Sequence, residues 1–213
     1  FHASTNAPVF SLKITNGLIY AVVIAIDGKT NSNLSSIRAY KATTGEQVWQ
    51  SPTFASDALS FFTVNQNIVY FGTTLAPQPS QKKPFTGRIY AYDVQGNKQL
   101  WSTPVDGATL HTPIFNDGVV YFGVDSGPGD NILPTQADIV AINAATGSLK
   151  WQQTLIGNYI VGFCLGDGAI YASTYTISQS GVTWEKSYAF KASDGSMLWK
   201  DIQHGFYNIV PAE

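Results

Sequence analysis

The stretch AINAATGSLKW, Ala141 to Trp151, has three near-copies in the same chain: AYKATTGEQVW at Ala39 to Trp49, AYDVQGNKQLW at Ala91 to Trp101 and AFKASDGSMLW at Ala189 to Trp199. In every copy the opening alanine precedes the tryptophan by ten positions, and successive tryptophans stand 48 to 52 residues apart. A fixed period of this length marks a repeat architecture and takes precedence over any local reading. Between the two halves of each phrase lies a glycine, at Gly45, Gly96, Gly147 and Gly195. Such a residue tolerates positive φ and lets the chain reverse tightly. In the second copy Gly96 arrives one residue early and Asn97 follows it, while the Ala-to-Trp spacing is kept.

A second element recurs upstream: TNGLIYA ending at Ala21, NQNIVYF ending at Phe71, NDGVVYF ending at Phe122 and GDGAIYA ending at Ala172. Each is a turn pair followed by a β-branched and aromatic run, the pattern of a hairpin leading into a strand. Each unit therefore reads as four short strands, A to D. In the third unit they are expected near Leu110 to Phe115, Val119 to Val124, Ile139 to Asn143 and Ser148 to Gln152. The segments between B and C vary most and read as surface loops.

Antiparallel four-stranded units of this period predict an all-β fold, a β-propeller with about four blades in this chain. The blades are expected near residues 8–50, 54–102, 105–153 and 155–201, with 202–213 starting a further blade or supplying a closing strand. No segment carries helical periodicity over about 11 residues or more, so helical solenoids fit less well. A sandwich leaves the period unexplained. The tryptophan of each unit (Trp49, Trp101, Trp151, Trp199) falls on the outermost strand. There it can bury a large apolar area against the next blade and clamp the two together.

Composition agrees with a β-rich, turn-rich domain. Across 213 residues the chain is 44% hydrophobic and 13% aromatic but only 12% charged, about half the usual charged fraction of roughly 25%. The formal net charge is -2, and no basic run exceeds Lys82-Lys83. The electrostatic footprint of a nucleic-acid binder is missing. The single cysteine, Cys164, rules out an intrachain disulfide and a cysteine-based metal cluster; its surroundings, IVGFCLGDG, make it a small buried residue of a strand. The longest apolar run, Leu18 to Ile26, is far short of the roughly 18 residues a membrane-spanning helix needs. The chain opens FHASTN without a positively charged leader, which suggests that a signal peptide has been removed or that more chain precedes it.

The phrase carried by IVAINAATGSLKW and IYAYDVQGNKQLW resembles the tryptophan-docking repeat of the PQQ-like β-propeller superfamily, and the likeness recurs over nearly the whole chain. In character it is closest to the non-enzymatic, BamB-like repeat proteins. The resemblance implies a relative of quinoprotein dehydrogenases, outer-membrane assembly scaffolds and propeller modules of bacterial signalling proteins. These commonly have about eight blades, against the four encoded here. Four blades leave two blade faces to be covered, a large apolar exposure. Three solutions are open: more chain beyond Glu213, a homodimer that completes the ring, or closure as a small four-bladed ring. The abruptness of both ends favours the first.

Strand alternation puts the A–B and C–D turns on one face and the long B–C loops with the D–A links on the other. A protein partner or small ligand is expected on that second face. Its aromatic candidates are Phe85, Tyr159, Trp184, Phe206 and Tyr207, with His204 beside them. They read either as stacking or anchoring groups or as caps that close the loops. The Gly-rich loop DSGPGDN sets Asp125 and Asp130 five apart, a candidate calcium site without EF-hand spacing. His2, His111 and His204 are far apart in the chain, and no spacing brings a serine, cysteine or carboxylate to them as a catalytic triad.

Three functional readings stay open. The first is a non-enzymatic propeller outside the cytoplasm, periplasmic, secreted or at the cell surface, with no cofactor expected. The second is a segment of a PQQ-dependent dehydrogenase, which brings PQQ and calcium. The resemblance implies for such enzymes an aspartate base, calcium ligands and often a disulfide of adjacent cysteines, and no motif here matches them. The third is the sensor propeller of a larger bacterial signalling protein.

Overall fold

The computed structural model describes residues 9–26, 29, 33–55, 57–75, 86–108, 111–126, 136–178 and 181–201. These form four antiparallel sheets that follow one another along the chain. The first blade contains β1 (Val9–Thr15), β2 (Leu18–Ile26), β3 (Asn33–Lys41), β4 (Gln47–Gln50) and β5 (Phe54–Ala55). The second contains β6 (Asp57–Asn65), β7 (Ile68–Leu75), β8 (Thr86–Asp93) and β9 (Lys98–Val105), and the third β10 (Ile114–Asn116), β11 (Val119–Ser126), β12 (Gln136–Asn143) and β13 (Leu149–Leu155). The fourth contains β14 (Tyr159–Gly166), β15 (Ala169–Ser178), β16 (Gly181–Lys191) and β17 (Met197–Asp201). Within each blade the four main strands pair in chain order, the meander of a propeller blade, and β5 pairs with β3.

The blade limits shift from the repeat-based ones in a consistent direction. Phe54 and Ala55, expected to open the second blade, pair with Leu34 and Ser35 and so extend the first sheet. Val105 and Leu155, expected to open blades, end the outer strands of the second and third blades. The outer strand of each blade thus runs past its tryptophan toward the next blade. In the third blade, the inner strand is shorter than expected, starting at Ile114, and β12 starts at Gln136. The A–B turns are tight: Asn16-Gly17, Asp117-Gly118 and Asp167-Gly168 have both residues at positive φ, as a two-residue hairpin of the right twist requires. Residues 202–213 lie outside the described residues.

The core is divided among the joints between blades. One cluster joins the first and second blades through Tyr20, Ile37, Trp49, Phe62, Phe71 and Tyr92. Another joins the second and third through Tyr70, Ile89, Trp101, Phe122 and Ile142. A third joins the third and fourth through Tyr121, Ile139, Trp151, Ile170 and Phe190. Strand alternation explains this: each sheet has one side facing the blade before it and one facing the blade after it, so both are apolar. Cys164 is buried, as its surroundings lead one to expect, and burial raises its thiol pKa.

Two joints are built alike. The Trp101 indole lies on Gly147 of the next blade, where an added Cβ would be 2.7 Å from the ring, and the Trp151 indole lies likewise on Gly195, at 2.7 Å. Both glycines have positive φ, 74° and 73°, so the position excludes side chains by close approach as well as by backbone conformation. The Trp101 Nε1–H donates to the Ala144 carbonyl at 2.9 Å, and that of Trp151 to the Ala192 carbonyl at 3.0 Å. The Tyr121 hydroxyl donates to the same Ala192 carbonyl at 3.1 Å.

The first joint departs from this plan, and the early glycine explains why. In the turn between β8 and β9 the residue at positive φ is Asn97, at 48°, not Gly96; the Gly96 N–H donates instead to the Asp93 carboxylate. Gly96 is therefore not the equivalent of Gly147 and Gly195. Asn97 brings a Cβ to the place the other two joints keep clear for an indole. Trp49 is still buried, but its Nε1–H and the Tyr20 hydroxyl have no hydrogen-bond partner. Asn97→Gly is expected to raise stability by about 1 kcal/mol, through recovery of these bonds, read as a higher urea midpoint at unchanged slope.

Candidate functional site on the loop face

Asp125, near the end of β11 on the loop face, is 1% exposed and draws three segments together. Its backbone exchanges hydrogen bonds with Ala108, of the link between the second and third blades, at 2.8 and 2.9 Å. Its Oδ1 accepts the backbone N–H of Ile160 in the fourth blade at 3.0 Å. Its two carboxylate oxygens stand 3.4 and 3.3 Å from His111 Nε2. Gly123 makes room for this arrangement, because a Cβ there would come within 2.9 Å of both His111 and Ile160.

Beside this pair, Tyr159 and Tyr175 face each other across β14 and β15. Their rings stack with centroids 5.1 Å apart and planes 16° from parallel. Both are half-buried. Burial, then the Tyr175 phenol, then the Asp125 carboxylate, raise the Tyr159 pKa above its usual value of 10.0. Burial and then Asp125 do the same for Tyr175. In the folded chain these phenols hold their protons to higher pH than in the unfolded one. Their contribution to stability is complete below pH ~10 and declines above it, because the unfolded state ionises first. Alkaline titration at the tyrosinate absorbance band is expected to give a late, steep step that coincides with unfolding.

The sequence candidates divide as follows. Tyr159 and Asp125 meet in one cluster with His111. Trp184, expected in a loop, belongs to β16 and stands opposite Tyr175 in register, because β15 and β16 continue as a long hairpin where a loop was expected. Phe85, Asp130, His204, Phe206 and Tyr207, with His2, lie outside the described residues. Tyr175 and the His111–Asp125 pairing were missed by sequence reasoning. The pairing had a signal: extending the Ile114–Tyr121 register outward by three residues sets His111 against Val124, next to Asp125.

Among the described residues, no three His, Cys, Asp or Glu side chains gather where they could hold a metal ion. The Asp125 carboxylate is already engaged by an amide and an imidazole. Asp130, the other half of the candidate calcium site, lies outside the described residues. Two clefts of about 130 and 280 Å³ flank the end of β9 and share Pro104, Val105 and Asp106. Both are smaller than the roughly 300–1,000 Å³ usual for enclosed small-molecule sites. The arrangement offers an aromatic shelf and shallow grooves on a rigid frame. No helix among the described residues is long and apolar enough to cross a membrane.

The sequence profile of the outer membrane protein assembly factor BamB family matches residues 33–203. The chain is similar to outer membrane protein assembly factor BamB of Yersinia pestis, with 28% identity over 123 residues, 56% of this chain and 28% of the relative. It is also similar to tetrathionate hydrolase of Acidithiobacillus ferrooxidans, with 24% identity over 165 residues, 74% of this chain and 31% of the relative. The chain thus spans less than a third of either curated relative. Among solved structures, quinohemoprotein alcohol dehydrogenase from Comamonas testosteroni superposes with a TM-score of 0.65 at 14% identity, over 92% of this chain and 35% of that one. At that identity the likeness concerns the fold.

Proposed function

The chain belongs to the family of outer membrane protein assembly factor BamB, within the PQQ-like β-propellers, and from that premise we propose that it is a non-enzymatic scaffold whose loop face binds a protein segment. The observation that carries this reading is the Tyr159–Tyr175 stack, half-buried at the edge of a frame in which Asp125 and His111 are committed to holding blades together. Stacked tyrosines give large, rigid contact area at low entropic cost and serve as anchors in protein interfaces. The shallow clefts beside β9 suit an extended peptide better than an enclosed cofactor. The family likeness and the low charge support placing it outside the cytoplasm, in a bacterial envelope or outside the cell.

The alternatives are a segment of a PQQ-dependent dehydrogenase and the sensor module of a signalling protein. They are separated from the scaffold by one set of measurements. Peptides selected from a displayed library on the whole chain are expected to lose at least about tenfold in affinity for a Tyr159→Ala, Tyr175→Ala variant. Selected peptides indifferent to that variant would overturn the assigned surface. Dye-linked oxidation of alcohols by the chain after addition of PQQ and calcium would overturn the non-enzymatic reading.

A further inference from the structure

The joints inside the chain consist of a plug and a socket. The plug is a tyrosine and tryptophan pair on one side of a blade: Tyr70 with Trp101 and Tyr121 with Trp151, ring centroids 6.1 and 5.7 Å apart. The socket is a four-residue turn of the next blade, with a carbonyl that accepts the indole N–H and a glycine at positive φ beneath the ring. The sockets Ala144 to Gly147 and Ala192 to Gly195 are filled in this way, and their alanines and glycines are buried.

Among the described residues one plug and one socket are left over. On the fourth blade Tyr171 and Trp199 form the same pair, with centroids 6.1 Å apart, yet Trp199 is 42% exposed and its neighbours Met197 and Leu198 are exposed as well. On the first blade the turn Ala42 to Gly45 has the socket's bonds. Ala42 N–H donates to Gly17 and Gly45 N–H to Lys41, matching the Ala144 to Gly118 and Gly147 to Asn143 bonds, and Gly45 φ is 74°, the same as at Gly147. Ala42 is exposed and Gly45 half-buried. The apolar face around this socket is open too: Leu12 and Ile14 are 65% and 71% exposed, where the corresponding Phe62 and Val64 of the second blade are 3% and 9%.

We propose that the fourth blade of one copy docks on the first blade of a second copy, with Trp199 seated over Gly45 and its indole N–H donated to the Ala42 carbonyl. The joint continues the pattern of the internal ones, and its occupant is a second copy because the free plug and the free socket match each other. Repeated by a two-fold axis, it is made twice, and two chains close a ring of eight blades. The proposal concerns assembly and stands apart from the binding role of the loop face.

Native mass spectrometry and light scattering of the whole chain are expected to give twice the single-chain mass. Trp199→Ala removes the plug, and Gly45→Asn fills the socket with a residue that Asn97 already accommodates at the corresponding position. A central tryptophan contributes roughly 30-fold to affinity, so Trp199→Ala, broken at both joints, is expected to weaken association on the order of 1,000-fold; Gly45→Asn reproduces the first internal joint, where Trp49 stays buried without its indole bond, and is expected to weaken it only about fivefold per joint, roughly 30-fold in all. Circular dichroism of each variant checks that the blades remain folded. A single-chain mass for the unaltered protein at its highest soluble concentration would overturn the proposal. A ladder of larger species, which means joints that do not close, would overturn it as well, as would two-chain assembly unaffected by both substitutions.

Discussion

Replacing Trp151 by alanine is expected to lower the free energy of unfolding by about 3–5 kcal/mol, the usual cost of emptying a buried tryptophan site. The ring is 8% exposed and packs between the third and fourth blades. Its loss also removes one of the two donors to the Ala192 carbonyl. Trp49→Ala provides an internal control. Trp49 is equally buried, but its indole N–H has no partner, so its truncation removes apolar contact and no hydrogen bond. It is expected to cost about 1 kcal/mol less than Trp151→Ala. Urea unfolding of the two variants, followed by circular dichroism, checks the order; equal losses would remove the hydrogen bond from the account of the joint.

The second large effect is expected at Asp125. Asp125→Ala leaves the buried N–H of Ile160 and the His111 ring without their acceptor, and a cost of about 3 kcal/mol follows from stranding such groups. Asp125→Asn keeps one carbonyl oxygen in place and is expected to recover more than half of that loss. If the two substitutions cost the same, the charge matters and the acceptor does not. A stability unchanged in both would mean that Asp125 does not tie the third blade to the fourth.

The fold was legible because the blade is built on a few positions that repeat. The Ala-to-Trp spacing and the turn-strand phrase mark the two constant strands of each unit, and the structure has four such sheets in order. Local chemistry misplaced the ends of strands. The outer strand continues past its tryptophan to Val105 or Leu155 because it pairs along the whole length of its neighbour, up to the Asp106-Gly107 and Gly157-Asn158 bends. At Gly96 the glycine was visible but its backbone conformation was not; the positive φ stays six residues after the alanine in every copy, and in the second that place is held by Asn97.

The site was legible in part. Tyr159 and Asp125 stood out as an aromatic and a carboxylate on the loop face, and they do lie in one cluster. Tyr175 was hidden because its partner across the sheet, Tyr159, is known only once the register is. The His111–Asp125 contact depends on the same register. Exposure of Trp199 had no local signal at all, since its phrase is as complete as the other three; what differs is the absence of an occupied socket beyond it among the described residues.

The most direct test of this account is an amide spectrum of the chain with ¹⁵N in its tryptophan indoles, recorded in exchange with deuterated water and assigned by substitution. The indole N–H groups of Trp101 and Trp151 are expected to be hydrogen-bonded and slow to exchange at every protein concentration. That of Trp199 is expected to be slow only where two chains associate, and fast in the Gly45→Asn variant. Exchange at Trp101 and Trp151 as fast as at a free indole would contradict the plug-and-socket joint from which both the fold and the assembly have been argued.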